Sequence, residues 1–152
     1  MTISELAENE CRAVLARLSI GRLGCCFNSQ PYVVPVCFAF ADDSIYVFST
    51  FGQKIEWMRS NPQVCLQVDE IKSKSEWMSV IVRGKYDELR DPQRSVERTR
   101  AREVLENEHR WWLNALAERR ARVSDLVIEP LFFRIHIDSM TGLEASEAPG
   151  PQ

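Results

Sequence analysis

Ser49, Thr50, Gly52 and Lys54 are the residues whose types and spacing offer chemistry. Two hydroxyls end the apolar run Ile45-Tyr46-Val47-Phe48, and a cation follows in the first turn of a helical pattern. A helix start leaves backbone N–H groups without partners and carries a partial positive charge. Hydroxyl donors and a lysine beside such an end suit a phosphate. The same residues also suit an ordinary helix cap, where Ser and Thr are favoured. The residues by themselves leave both uses open.

These residues must be positioned by the elements around them. Residues 44–50 read as a strand, 51–60 as a short helix and 64–69 as a second strand. Asn61-Pro62 stops the helix, because Pro lacks the N–H and its predecessor avoids the α region. Upstream, Ala7, Cys11, Val14, Leu15 and Leu18 share a stripe at helical spacing, predicting a helix over 4–18. Residues 21–27 and 32–40 read as strands around the turn Asn28-Ser29-Gln30, and Asp42-Asp43 turns the chain into the next strand. Pro35 cannot donate to a ladder, so it marks an edge, a bulge or a gap in pairing, and a gap would leave backbone groups free for a planar ligand.

Downstream, Lys72-Ser73-Lys74-Ser75 reads as a polar loop, and residues 77–86 as a long strand. Asp91 and Pro92 read as the cap and first position of a helical region reaching about Arg122. Residues 126–137 read as the last strand and 138–144 as a turn-like exit. Short strands with hairpin-type connections predict a mainly β fold with flanking helices, a six-stranded antiparallel sheet closed into a barrel. One domain is expected over residues 1–144, with a helical insertion near 92–122 and a flexible tail at 145–152.

Composition narrows the function classes. The chain has 152 residues, 45% of them hydrophobic, and a formal net charge of -3. That balance disfavours general nucleic-acid binding. The nine arginines from Arg90 to Arg122 are interleaved with six carboxylates, which predicts a salt-bridged face rather than a nucleic-acid patch. No apolar run approaches the ~18 residues of a membrane span, and the acidic N-terminus does not read as a signal peptide, so a cytoplasmic location without membrane attachment is expected. The five cysteines include no Cys-x-x-Cys, and all lie in apolar patterns; they read as reduced, mostly buried thiols. No metal site is expected. His109 and His136 are isolated and read as surface or strand residues.

The ordered set of elements resembles the pyridoxamine 5′-phosphate oxidase-like split-barrel flavoproteins, most closely the branch that includes nitroimidazole-resistance proteins. The matching pieces are Gly21-Arg22-Leu23-Gly24, Pro35-Val36, Val47-Phe48-Ser49-Thr50, Gly52-Gln53-Lys54, residues 61–66, residues 77–84, Trp111-Trp112 and residues 133–142. The resemblance implies a split barrel that forms a homodimer, with two FMN sites at the subunit interface. It implies that the backbone at Pro35, Val36 and Cys37 faces the flavin ring. Ser49 and Thr50 would lie near the ring and ribityl chain. Lys54 would hold the phosphate, beside Gln53, which stands where relatives often carry a second cation. Trp77 and Ser79, from the neighbouring strand or subunit, would complete the site.

The leading expectation is thus an FMN-dependent oxidoreductase acting on a small molecule, with the flavin carrying the electrons and no catalytic side chain assigned. The alternatives are a non-catalytic flavin-binding or sensor protein, and a related enzyme using F420 or haem, since fold does not fix function.

Overall fold

The computed structural model describes residues 1–122 and 130–147, without side-chain detail at 110–113, 116, 117 and 119–122. In chain order the elements are β1 (Thr2–Leu6), α1 (Glu8–Arg17), β2 (Ile20–Phe27), β3 (Gln30–Ala41), β4 (Ser44–Ser49), α2 (Gln53–Ser60), β5 (Gln63–Ser73), β6 (Glu76–Glu88), α3 (Ser95–Arg122) and β7 (Leu131–Ser146). All strand pairs are antiparallel. The order β7-β4-β3-β2-β5-β6 closes into a ring through β6–β7, and β1 adds to β7 from outside it. The six expected strands form the barrel.

Local chemistry explains how the chain turns. Asn28 and Ser29 adopt φ of 49° and 62°, and Asp42 and Asp43 adopt 54° and 58°. Two successive left-handed residues make the tight hairpin turn whose twist matches the flanking strands, and Asn and Asp tolerate that conformation. The β6–β7 ladder shifts register between Arg83 and Gly84. A Cβ on Gly84 would lie 2.1 Å from the His136 carbonyl oxygen, so only glycine allows the two backbones to approach there.

Alternation fills the barrel. Leu23, Phe38, Val47, Leu66, Val68, Val80, Val82, Phe133 and Ile135 point inward and are buried, joined by Cys11, Val14 and Leu15 of α1 and Ile55 and Met58 of α2. Each large apolar side chain so buried contributes about 1.5–3 kcal/mol. A second cluster lies outside the ring, where Ala101, Val104 and Leu105 of α3 cover Ala39, Tyr46, Phe48 and Phe132. Among the described residues helix α3 thus covers the outside of β3, β4 and β7.

Two charged knots tie the helical parts to β6. Asp87 accepts from both Nη atoms of Arg94 at 2.9 Å, from Arg134 at 3.3 Å and from His136 Nε2 at 2.8 Å. Glu88 accepts from Arg59 Nε and Nη2 at 2.9 and 3.1 Å, from the Tyr86 hydroxyl at 2.5 Å, and from Arg90. Arg100 of α3 grips Asp42 with two bonds, at 2.9 and 3.1 Å. Of the salt-bridged face expected between residues 90 and 122, Arg94–Glu97, Arg98–Asp91 and Arg100–Glu103 are present, while Arg94, Arg90 and Arg100 also pair with acids outside that stretch. Among the described residues no helix is long and apolar enough to cross a membrane.

The structure corrects several expectations. Residues 2–6 are strand β1 rather than the start of the first helix, because they pair with residues 142–146 at the other end of the chain, a partner no local period reveals. Residues 138–144 are not a turn: they continue β7, held by β6 on one side and, from Gly142, by β1 on the other. Ala145 and Ser146, assigned to the tail, end that strand. Lys72 and Ser73 belong to β5, shrinking the polar loop. Asp91 and Pro92 lie in a turn, and α3 begins at Ser95. The beginning of the expected last strand at 126–129, the Trp111 and Trp112 side chains and the tail at 148–152 lie outside the described residues.

The two knots make acid sensitivity predictable. Desolvation raises both carboxyls, but the hydrogen bonds from Arg94, His136 and Arg134 outweigh it and leave Asp87 at about 2. Those from Arg59, Arg90 and Tyr86 leave Glu88 at about 2 as well. A depressed carboxyl contributes stability above its unfolded value and loses it as pH falls through the folded one. Urea unfolding across pH should show stability falling between pH ~4.5 and ~2. Asp87→Asn and Glu88→Gln should each cost about 1–3 kcal/mol at neutral pH and flatten that slope.

Candidate functional site

The β3–β4 ladder is short. Strands β3 and β4 pair from Ala41↔Ser44 only as far as Phe38↔Val47. Beyond that point β3 keeps β2 as its neighbour, with Pro35 opposite Arg22, Val36 opposite Gly21 and Cys37 opposite Ile20. Strand β4 keeps β7, with Ser49 opposite Leu131. Pro35, Val36 and Cys37 thus face no β4 residue, and the gap expected at the proline lies between β3 and β4. Val36 is buried, Cys37 half-buried and Pro35 exposed. Burial pushes the Cys37 thiol up, so it stays protonated near neutral pH.

Helix α2 starts where β4 ends. It is fixed on the β2–β3 hairpin by Trp57, whose ring packs on Phe27 and Tyr32 with centroids 6.1 and 5.8 Å away. Asn61, the residue at its C-terminal end, donates from Nδ2 to the Cys26 carbonyl at 2.9 Å. Gly52 precedes the helix in extended backbone, and no side chain caps it. The Ser49 hydroxyl donates instead to the Thr50 carbonyl at 3.1 Å. The capping role that the sequence left open is therefore not taken. The first N–H groups of α2 stay available, and the space beside Gly52 is open to at least 4 Å.

Lys54 sits in this first turn, half-buried. Among the described residues no hydrogen-bond or ion-pair partner is found for its ammonium. Burial lowers its pKa from the ordinary 10.5, and the neighbouring Cys25 opposes that shift by less. A desolvated cation without a counter-charge, next to uncapped N–H groups, fits a phosphate. Gln53 beside it is exposed. Ser49 and Thr50 thus end β4 and Gln53 and Lys54 open α2, while Pro35, Val36 and Cys37 lie on β3 beyond its pairing with β4.

Trp77 and Ser79 lie elsewhere in the same chain. Both are on β6, three strands from β3 around the ring. Trp77 lines a groove of about 620 Å³ with Arg17, Glu70 and Met78. Ser79 Oγ accepts from Gln67 Nε2 at 3.1 Å, and Asp69 joins the same network through Arg22 at 2.8 Å.

Sequence reasoning missed His109. It is 2% exposed, breaks the helical backbone of α3 and places Nε2 2.6 Å from the Phe38 carbonyl oxygen. The Phe38 amide donates to the Ser19 carbonyl at 3.0 Å, just past the end of the β2–β3 ladder. The imidazole bonds the carbonyl of that same residue, the last paired one before the opening. It is a buried anchor, not a surface residue, and only the tertiary fold brings it there.

A closed ring of six antiparallel strands with a short β3–β4 ladder defines a split barrel. The family described as pyridoxamine 5′-phosphate oxidase matches residues 7–144, and the chain belongs to that family. An uncharacterised protein of Rhizobium meliloti is 38% identical over 146 residues, covering 95% of this chain and 97% of its own length. The crystal structure of a FAD-binding protein from Mesorhizobium loti has 40% identity and a TM-score of 0.77, covering 97% of this chain and 99% of that one. A candidate 5-nitroimidazole antibiotic resistance protein from Bacteroides thetaiotaomicron shares the fold, with 18% identity, a TM-score of 0.67 and coverage of 95% and 89%.

The desolvated lysine gives a stability test. Between its lowered folded value and 10.5 the unfolded chain binds more protons, so stability rises with pH across that window. Lys54→Met should raise the melting temperature of the ligand-free protein at pH 7 and remove that alkaline rise. A fall in melting temperature would mean the ammonium has a stabilising partner.

Proposed function

We propose that this protein is a flavin-dependent oxidoreductase that works as a homodimer on a small molecule. The observation that carries the reading is the half-buried, partnerless Lys54 at the uncapped start of α2, beside the β3–β4 opening. The FAD-binding relative from Mesorhizobium loti, similar over nearly its whole length, supports the same ligand class.

Bound flavin supplies a ring that accepts and returns electrons. Lys54 and the α2 amides would hold the phosphate, which FMN and FAD share. The Ser49 and Thr50 hydroxyls would serve the ribityl chain. Backbone groups of Pro35, Val36 and Cys37 would serve the ring edge, with Val36 and the protonated Cys37 as an apolar wall. Residues 35–37 and 49–54 contain no acid or base besides Cys37 and Lys54, so substrate protonation falls to solvent, the substrate or the partner subunit.

The uncovered sheet face supports the dimer. On the outer side of β2, β3 and β7, Ile20 is 59% exposed, Val33 67% and Leu143 44%. Such a face with the Arg22–Asp69–Gln67–Ser79 network across it suits a self-complementary two-fold contact. A second copy there would bring its Trp77 and Ser79 toward the opening, completing the site.

A flavin carrier or sensor is the second reading, favoured because residues 35–37 and 49–54 offer no acid or base besides Cys37 and Lys54, and by Gln53 in place of a second cation. Haem fits less well: both histidines are engaged, His109 with Phe38 and His136 with Asp87, leaving no free imidazole for iron. F420 remains as another occupant of the same anion seat.

The visible spectrum of the purified protein, followed by flavin titration of the apoprotein, tests the reading. One flavin per chain, two chains per particle by sedimentation, and binding about 10-fold weaker in Lys54→Ala are expected. Reduction of the bound flavin by a nicotinamide donor separates enzyme from carrier. A colourless protein that ignores flavins contradicts both.

A further inference from the structure

Phe51 has no role in the phosphate seat, yet it stands beside it. It lies in the link between β4 and α2, and 58% of it is exposed. Its ring is backed on one side by the Arg59 guanidinium, 5.3 Å from the centroid. Arg59 is itself held by two bonds to Glu88, at 2.9 and 3.1 Å, and Glu88 is held by the Tyr86 hydroxyl. The aromatic face is thus mounted on a fixed cation rather than left on a loose loop. Arg59 stacks at moderate benefit on an exposed ring. What that leaves is a rigid, solvent-facing ring with open space at the adjacent Gly52.

Its distance from Lys54 is limited. Three residues span at most ~10 Å of extended chain, which is the reach of a second phosphate, a ribose and a base beyond a first phosphate. A purine has a π face that stacks on any such ring. Resting on the flavin reading above, we infer that Phe51, backed by Arg59, seats the adenine of a flavin dinucleotide, so that the chain takes FAD in preference to FMN.

Titration of the apoprotein with FAD and with FMN tests this, in the wild type, Phe51→Ala and Phe51→Trp. Phe51 is exposed, so the variants are expected to fold, and their melting curves check it. The wild type should bind FAD about 10-fold or more tightly than FMN, as one stacked base contributes. Phe51→Ala should erase that margin while leaving FMN affinity unchanged, and Phe51→Trp should keep it. Equal affinities in the wild type would overturn the inference while leaving the flavin site standing. A Phe51→Ala variant that weakens both flavins alike, or that splits the dimer, would overturn it too, assigning Phe51 to the ring pocket or to the subunit contact. Failure to bind either flavin would remove the parent reading and this one together.

Discussion

The hydrogen bonding of β6 along nearly the whole of β7 is the constraint on which the rest depends. It closes the ring, and it can do so only because Gly84 lets the two backbones meet at a register shift. A closed ring has no free edge. Two ladders of the ring stay short, β2–β5 with three residue pairs and β3–β4, which stops at Phe38↔Val47. The protein's chemistry collects there: a proline that cannot donate, two hydroxyls at a strand end, and a helix that begins without a cap.

The same spot is where the outer cover ends. Helix α3 packs over Ala39, Tyr46, Phe48 and Phe132, and His109 bonds the Phe38 carbonyl at the boundary. Beyond it, among the described residues, Ile20, Val33 and Leu143 of the sheet are exposed, and the proposed dimer draws on these apolar residues. The desolvated Lys54 fits this picture, since a half-buried cation without a partner lowers the stability of the empty protein and is relieved by an anion.

Much of this was legible in the sequence, for physical reasons. Period-two alternation gave the barrel strands, Asp42-Asp43 and Asn28-Ser29 gave the turns, and Pro35 marked the gap. Ser49, Thr50 and Lys54 were readable because strand end, glycine and lysine lie within a few residues of each other. What escaped was set by distant partners. β1 forms only because residues 142–146 come alongside it, and those residues read as a turn until both neighbours are in place. His109 looked isolated because its partner, the Phe38 carbonyl, is a backbone atom on another element. Asp91-Pro92 carried the chemistry of a helix start, but the chain there turns to bring Arg94 onto Asp87, and the helix waits until Ser95.

On the proposed reading the chain binds a flavin chiefly through its phosphate at Lys54. Comparing riboflavin, which lacks the phosphate, with FMN by calorimetric titration of the apoprotein tests it most directly. The account predicts that riboflavin binds ~10–100-fold more weakly, the worth of one or two charge-assisted hydrogen bonds, and that Lys54→Ala narrows the difference. Equal affinity for the two would contradict it, placing the recognition in the ring pocket and leaving the unpaired lysine without a ligand.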